Sequence, residues 1–69
     1  MIFLFVNVAR GAPHADIEAV ADAIVRVSAL ALDLRDRVAE IDINPLFVFP
    51  NGKGVKAGDA LIRPRQANN

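Results

Sequence analysis

The sequence predicts an α+β fold, with one long helix packed on a small, mostly antiparallel sheet that ends in a β-hairpin. Three features carry this. Residues 2–8 form a β-branched and aromatic run, residues 17–34 carry an apolar stripe at helical spacing, and an Asn-Gly turn separates two later strand-like runs.

Taken in order, Ile2–Val8 reads as a short strand because its residue types suit a pleated, half-buried surface. Arg10-Gly11-Ala12-Pro13 breaks it. Pro13 and Asp16 then mark a helix start, with the Asp16 carboxylate placed to accept free backbone N–H groups as an N-cap. Ile17, Val20, Ala21, Ile24, Val27, Leu30, Ala31 and Leu34 follow at three- and four-residue steps, one apolar stripe over about five turns. Asp22 and Arg26 are spaced for an i,i+4 ion pair on the outer side. The polar cluster Asp33-Leu34-Arg35-Asp36-Arg37 ends the helix.

A second strand, Val38–Asn44, alternates Ala39, Ile41 and Ile43 on one side with Glu40, Asp42 and Asn44 on the other, and Pro45 interrupts regular pairing. Leu46–Phe49 is a further apolar run. Asn51-Gly52 makes a hairpin turn, and Val55–Ile62 returns until Pro64 closes it. With Asn51 and Gly52 central, Val48 faces Val55 and Asn44 faces Asp59. Opposed residues on antiparallel strands hold their Cβ atoms about 5 Å apart, so Asp59 would join Asn44 and Asp42 on one patch. A slip of one residue would send Asp59 to the other face.

Sixty-nine residues make one small domain with little core to offset chain entropy. There is no Cys and a single His, which excludes disulfides, thiolate chemistry and any multi-histidine metal site within the chain. Eight basic and eight acidic residues balance, so broad attraction to nucleic acid or membrane is not expected. Seven acids fall within residues 11–44, while Lys53, Lys56, Arg63 and Arg65 fall after them, an asymmetry that mutual attraction of the two halves accounts for. The opening apolar run is far shorter than the ~20 residues that span a bilayer and has no basic residue ahead of it, so a cytoplasmic protein is expected.

Oxygen donors on one strand face suit a hard cation such as Mg2+, which takes one or two carboxylates and leaves other positions to water and phosphate. A solvated strand face is the plainer account of the same pattern. Gly52-Lys53-Gly54 lacks the spacing of a phosphate loop and opens no helix, so a hairpin turn explains it. Phe3, Phe5, Phe47 and Phe49 read as core packing. His14 is a solvated loop residue, Glu40 is structural, and Arg63-Pro64-Arg65 could touch a phosphate, although two arginines in a tail are usually just solvated.

The run Glu40-Ile41-Asp42-Ile43-Asn44-Pro45-Leu46 follows an Ala-rich helix and precedes a Gly-bearing turn and Asp59. In that setting it resembles the end of an ATP-grasp domain. The particular likeness is to the NDP-forming acyl-CoA synthetases (ADP-forming acetate–CoA ligase and the related succinyl-CoA synthetase β subunit). Arg10-Gly11-Ala12-Pro13 is similar to the Arg-Gly-x-Pro loop before that helix in the same branch. The resemblance runs from about residue 10 to residue 63, with residues 1–8 outside it and residues 64–69 a frayed tail.

What the resemblance implies is a fragment of an ATP-grasp lobe, from enzymes that join an acid to coenzyme A while a nucleotide is made or spent. It implies ATP or ADP and Mg2+ as cofactors, with Asn44 and Asp59 as metal ligands and Asp42 as the acid two residues ahead. The family's nucleotide-clasping lysine, coenzyme A domain and phosphohistidine have no counterpart here. The chain therefore reads as a single partial domain over residues 1–69, inactive alone, whose partners are the rest of an acyl-CoA synthetase or further copies of itself. Coenzyme A and a carboxylic acid would enter through the full enzyme. The rival from another class is a non-catalytic α/β association module, and a third reading is a truncated gene remnant.

Overall fold

The computed structural model describes residues 1–8 and 14–66. The Arg10–Pro13 break and the tail from 67 to 69 lie outside the described residues. Strand β1 (Ile2–Val8) is followed by helix α1 (Ile17–Asp33), then β2 (Val38–Val48), β3 (Val55–Ala57) and β4 (Ala60–Pro64). β2 is the centre of a four-stranded mixed sheet. β1 lies parallel on one side, and β3 and β4 lie antiparallel on the other, one after the other along β2. α1 crosses β2 and β3. The expected α+β arrangement of one helix over a small sheet with a C-terminal hairpin is therefore present.

The helix begins where the sequence places it. Asp16 caps it, accepting from Ala19 N–H at 3.1 Å, and Leu34 N–H closes the last turn on Leu30 O at 3.0 Å. Asp22 and Arg26 pair at 2.8 Å on the outer side. The apolar stripe, however, is only partly covered. Val20, Ala23, Val27, Ala31 and Leu34 form the half-buried line, whereas Ile17 and Ile24 from the same stripe are 68% and 47% exposed. A sheet this narrow reaches one ridge of the helix and no more.

β2 runs through Pro45 instead of being broken by it. Pro45 has no N–H, so the ladders on both sides step around it. On the β1 side, Leu4 faces Ile43 and Val6 faces Leu46, leaving two β2 residues against Phe5, a bulge. On the hairpin side, the expected single return strand divides into β3 and β4. Gly58 N–H donates to Pro45 O at 2.8 Å in the gap between them.

Register survives the interruption. Val48 faces Val55, Asn44 N–H donates to Asp59 O at 3.2 Å, and Ile43 faces Ala60. Asn51 and Gly52 are the central turn residues, with Lys53 N–H on Pro50 O at 2.9 Å and Gly52 at φ +83°. Positive φ at the second central residue defines a type II turn and calls for glycine.

The core consists of Ile41, Leu46 and Val48, the fully buried apolar residues among those described. Alternation with the bulge puts all three on the helix side of β2. Glu40, Asp42 and Asn44 take the open side. At the other end, Pro64 is still part of β4, and Arg65 is tied back, its N–H to Arg37 O at 2.8 Å and its Nε to Arg35 O at 2.6 Å. Residues 64 and 65 are thus tied to the strand and to the turn after α1.

Candidate functional site

The oxygen-bearing residues meet where the hairpin changes from β3 to β4. Asp42 comes from the middle of β2, Asn44 from the residue before Pro45, and Asp59 from the link that opens β4. Together with Ala60 and Leu61 they line one open cleft of about 200 Å³ on the sheet face away from the helix. Gly58 makes this junction possible. A Cβ there would lie 2.7 Å from Phe47 Cε2 and 3.1 Å from both Cγ and Cδ of Pro45. A side chain there would force the Phe47 or Pro45 ring to shift, so glycine lets the chain pass this close and deliver Asp59 beside Asn44.

The three side chains are not equally satisfied. Asp42 is half-buried, and its Oδ1 is shielded from solvent with no hydrogen-bond partner among the described residues. Buried carboxylate oxygens are rarely left unpaired, since desolvation without a partner is costly. Asp59 Oδ1 accepts from Ala60 N–H at 2.9 Å, which fixes the carboxylate and leaves its second oxygen free. Asn44 is exposed and contributes an amide oxygen. No group of three His, Cys, Asp or Glu side chains converges among the described residues; the cleft instead joins two carboxylates to one amide. Such a donor set fits a hard divalent cation that keeps water or phosphate in its remaining positions. Among the described residues, no charged basic side chain lines the cleft.

Glu40, the remaining acid of this strand face, lies outside the cleft and pairs with Arg63 at 2.5 Å. His14 is exposed, and its carbonyl accepts from Asn51 N–H at 2.8 Å. Phe47 and Phe49 sit on the open face at 39% and 36% exposure and are not core residues.

One residue has a wider part than sequence reasoning gave it. Besides capping the helix, Asp16 accepts from Gly52 N–H at 3.1 Å and Gly54 N–H at 2.9 Å, which clamps the hairpin turn to the helix start. Backbone bonds from Asp16 N–H to Phe49 O and from Asn51 N–H to His14 O complete the junction. These N–H groups, Gly54 first and then Ala19, hold the Asp16 carboxyl below its ordinary pKa, against the opposing pull of burial. The sequence signal for this was the Gly-x-Gly spacing of the turn, which leaves two backbone N–H groups unobstructed.

An ATP-grasp domain family model matches residues 3–63. The match takes in most of β1, which carried no resemblance at the level of motifs. Over 54 residues the chain is 48% identical to the beta subunit of ADP-forming acetate–CoA ligase II from Pyrococcus furiosus, covering 78% of this chain and 23% of that protein. Over 46 residues it is 50% identical to ADP-forming acetate–CoA ligase I from Archaeoglobus fulgidus, covering 67% of this chain and 7% of that protein. It is also 42% identical over 53 residues to a trans-feruloyl-CoA synthase from an unknown prokaryotic organism, again 7% of that protein's length. The chain thus spans less than a quarter of each of these relatives. No solved structure matches it. With a family model covering nearly all of β1 through β4 and acid–CoA ligases agreeing over most of its length, this chain belongs to the ATP-grasp domain family.

Proposed function

We propose that this chain supplies the metal- and nucleotide-facing edge of an ATP-grasp acid–CoA ligase, with Asn44, Asp59 and Asp42 as ligands for Mg2+. The observation that carries the reading is Asp42 Oδ1, a buried carboxylate oxygen without a partner among the described residues, in a cleft shared with an amide and a second carboxylate. Asp42 supplies the shielded charge, Asp59 a carboxylate fixed by its own strand, and Asn44 a neutral oxygen at the rim. When bound, the metal would offset charge on the β- and γ-phosphate oxygens of ATP or ADP during phosphoryl transfer. The residues of this chain hold and orient; they neither take nor give a proton in that step. Turnover requires the rest of an acyl-CoA synthetase, which brings coenzyme A and a carboxylic acid, because transfer depends on positioning that 69 residues do not supply. Nucleotide and coenzyme chemistry of this kind supports a cytoplasmic setting.

The test is a Mn2+ or Mg2+ titration of the chain, with and without ADP, repeated on Asn44→Ala, Asp59→Ala and Asp42→Asn. Each variant should bind the ion at least about tenfold more weakly, a loss of about 1.4 kcal/mol. Equal affinity across all four proteins would defeat the assignment.

The association-module reading draws support from the exposed apolar side chains of α1, Ile17, Ile24, Val25 and Leu32. Self-association with no response to Mg2+–ADP is the outcome that would favour it.

A further inference from the structure

A second concavity lies four residues farther along β4, roughly 13 Å from Asp59 at strand spacing. This open groove of about 660 Å³ is lined by Ala39, Arg63, Pro64, Arg65 and Gln66. Its volume falls within the roughly 300–1,000 Å³ typical of small-molecule sites. Ala39 sits where the β2–β4 register shifts between Val38 and Glu40. The charged lining residues of the groove are Arg63 and Arg65.

Both guanidiniums are anchored. Arg63 Nη2 donates to Glu40 Oε2 at 2.5 Å, and the Glu40 side chain is only 20% exposed. Arg65 Nε donates to Arg35 O at 2.6 Å, while its backbone N–H holds Arg37 O. A guanidinium carries five N–H donors in a rigid fork, so each arginine keeps several for a ligand after giving one to the protein. Fixing the fork beforehand lowers the entropy lost on binding. Planar forks match phosphate oxygens two at a time. Asp33 and Asp36, the acids of the neighbouring turn, do not line the groove.

We propose that the Arg63–Arg65 groove is a phosphate-binding subsite, distinct from the carboxylate cleft and independent of a divalent ion, that takes a diphosphate or phosphate monoester group. The chain has no net charge, so general polyanion attraction would not produce this binding. Glu40 orients Arg63 and also opposes an incoming anion. It is a positioning residue whose neutralisation should tighten binding.

The test is calorimetric titration of inorganic pyrophosphate into the full chain with EDTA present, followed by ADP and coenzyme A to distinguish a nucleotide from a coenzyme source. Arg63→Gln and Arg65→Gln should each weaken pyrophosphate binding about tenfold, as expected for one charge-assisted contact. Glu40→Gln should tighten it several-fold, an effect that loss of a structural ion pair would not give. Asn44→Ala and Asp59→Ala should leave it unchanged, which separates this groove from the metal assignment tested by Mn2+. Arg63 is exposed, so Arg63→Gln keeps the fold, and far-ultraviolet circular dichroism verifies it. Absence of pyrophosphate binding by the parent, or binding unmoved by Arg63→Gln, overturns the proposal. So does a Glu40→Gln variant that binds more weakly.

Discussion

Asp16 joins two segments that are far apart in the chain, the helix start and the hairpin turn, since its carboxylate accepts from Ala19, Gly52 and Gly54. Because these bonds favour the charged form, its pKa in the folded chain is lowered. A lowered folded value means the contribution is complete above the unfolded pKa, about 3.9, and is lost as pH falls through the folded value. Thermal unfolding should therefore give a steady midpoint near neutrality and a falling one below about pH 4. Asp16→Asn should lower the midpoint at pH 7 and narrow its gap to the parent at pH 3; an unchanged gap would mean the clamp is not electrostatic. Gly58 is the other residue on which local geometry turns. The Phe47 ring tip could swing away from an added methyl, but the Pro45 ring on the other side has little freedom. Gly58→Ala should cost about 1–3 kcal/mol by overpacking. It should also weaken Mn2+ binding by displacing Asp59, which follows directly in the chain.

At the scale of elements, β2 bears the load. Leu46 near the end of β2 is 3% exposed, whereas Ile24 on the helix is 47% exposed. Leu46→Ala should cost about 2–5 kcal/mol and Ile24→Ala less than about 1 kcal/mol in urea unfolding. Similar costs at the two sites would mean the helix packs more deeply than described. Much of this level was legible in the sequence because it rests on short-range rules. The helix start follows from Asp16 and the apolar spacing, and the hairpin register follows from the Asn51-Gly52 turn, which aligns Asn44 with Asp59. The parts that escaped depend on contacts between distant segments. Nothing near Asp16 in sequence announces glycine N–H groups 36 and 38 residues away. The strand's passage through Pro45 depends on two neighbours both yielding at one level, and the outer half of the helix stripe looks identical in sequence whether or not something covers it. The cleft itself was legible as a pattern of oxygens, while the unpartnered state of Asp42 Oδ1 needed three dimensions.

At the scale of the whole molecule, the dimensions say that the apolar surface is incompletely used. The radius of gyration is 14.0 Å, with extents of 53 × 18 × 13 Å. A compact domain of this length would have a radius of gyration of roughly 11 Å. A slab this thin is one helix on one sheet, and its two outer surfaces leave Phe5, Ile17, Val25, Leu32 and Leu61 more than half exposed. Relatives several times longer have more chain with which to cover such surfaces. The isolated chain should accordingly bind a hydrophobic dye in native buffer and unfold at a low midpoint. Substituting it for the matching segment of the Pyrococcus furiosus beta subunit should suppress the dye signal and raise the midpoint. In that setting Ile24→Ala should rise from a cost below about 1 kcal/mol to about 2 kcal/mol or more, because the same side chain would then leave a cavity instead of a gap in a wet surface. An Ile24→Ala cost that stays the same in both settings would show that the outer helix face is solvent-facing by design, and that the chain's elongated shape is complete in itself.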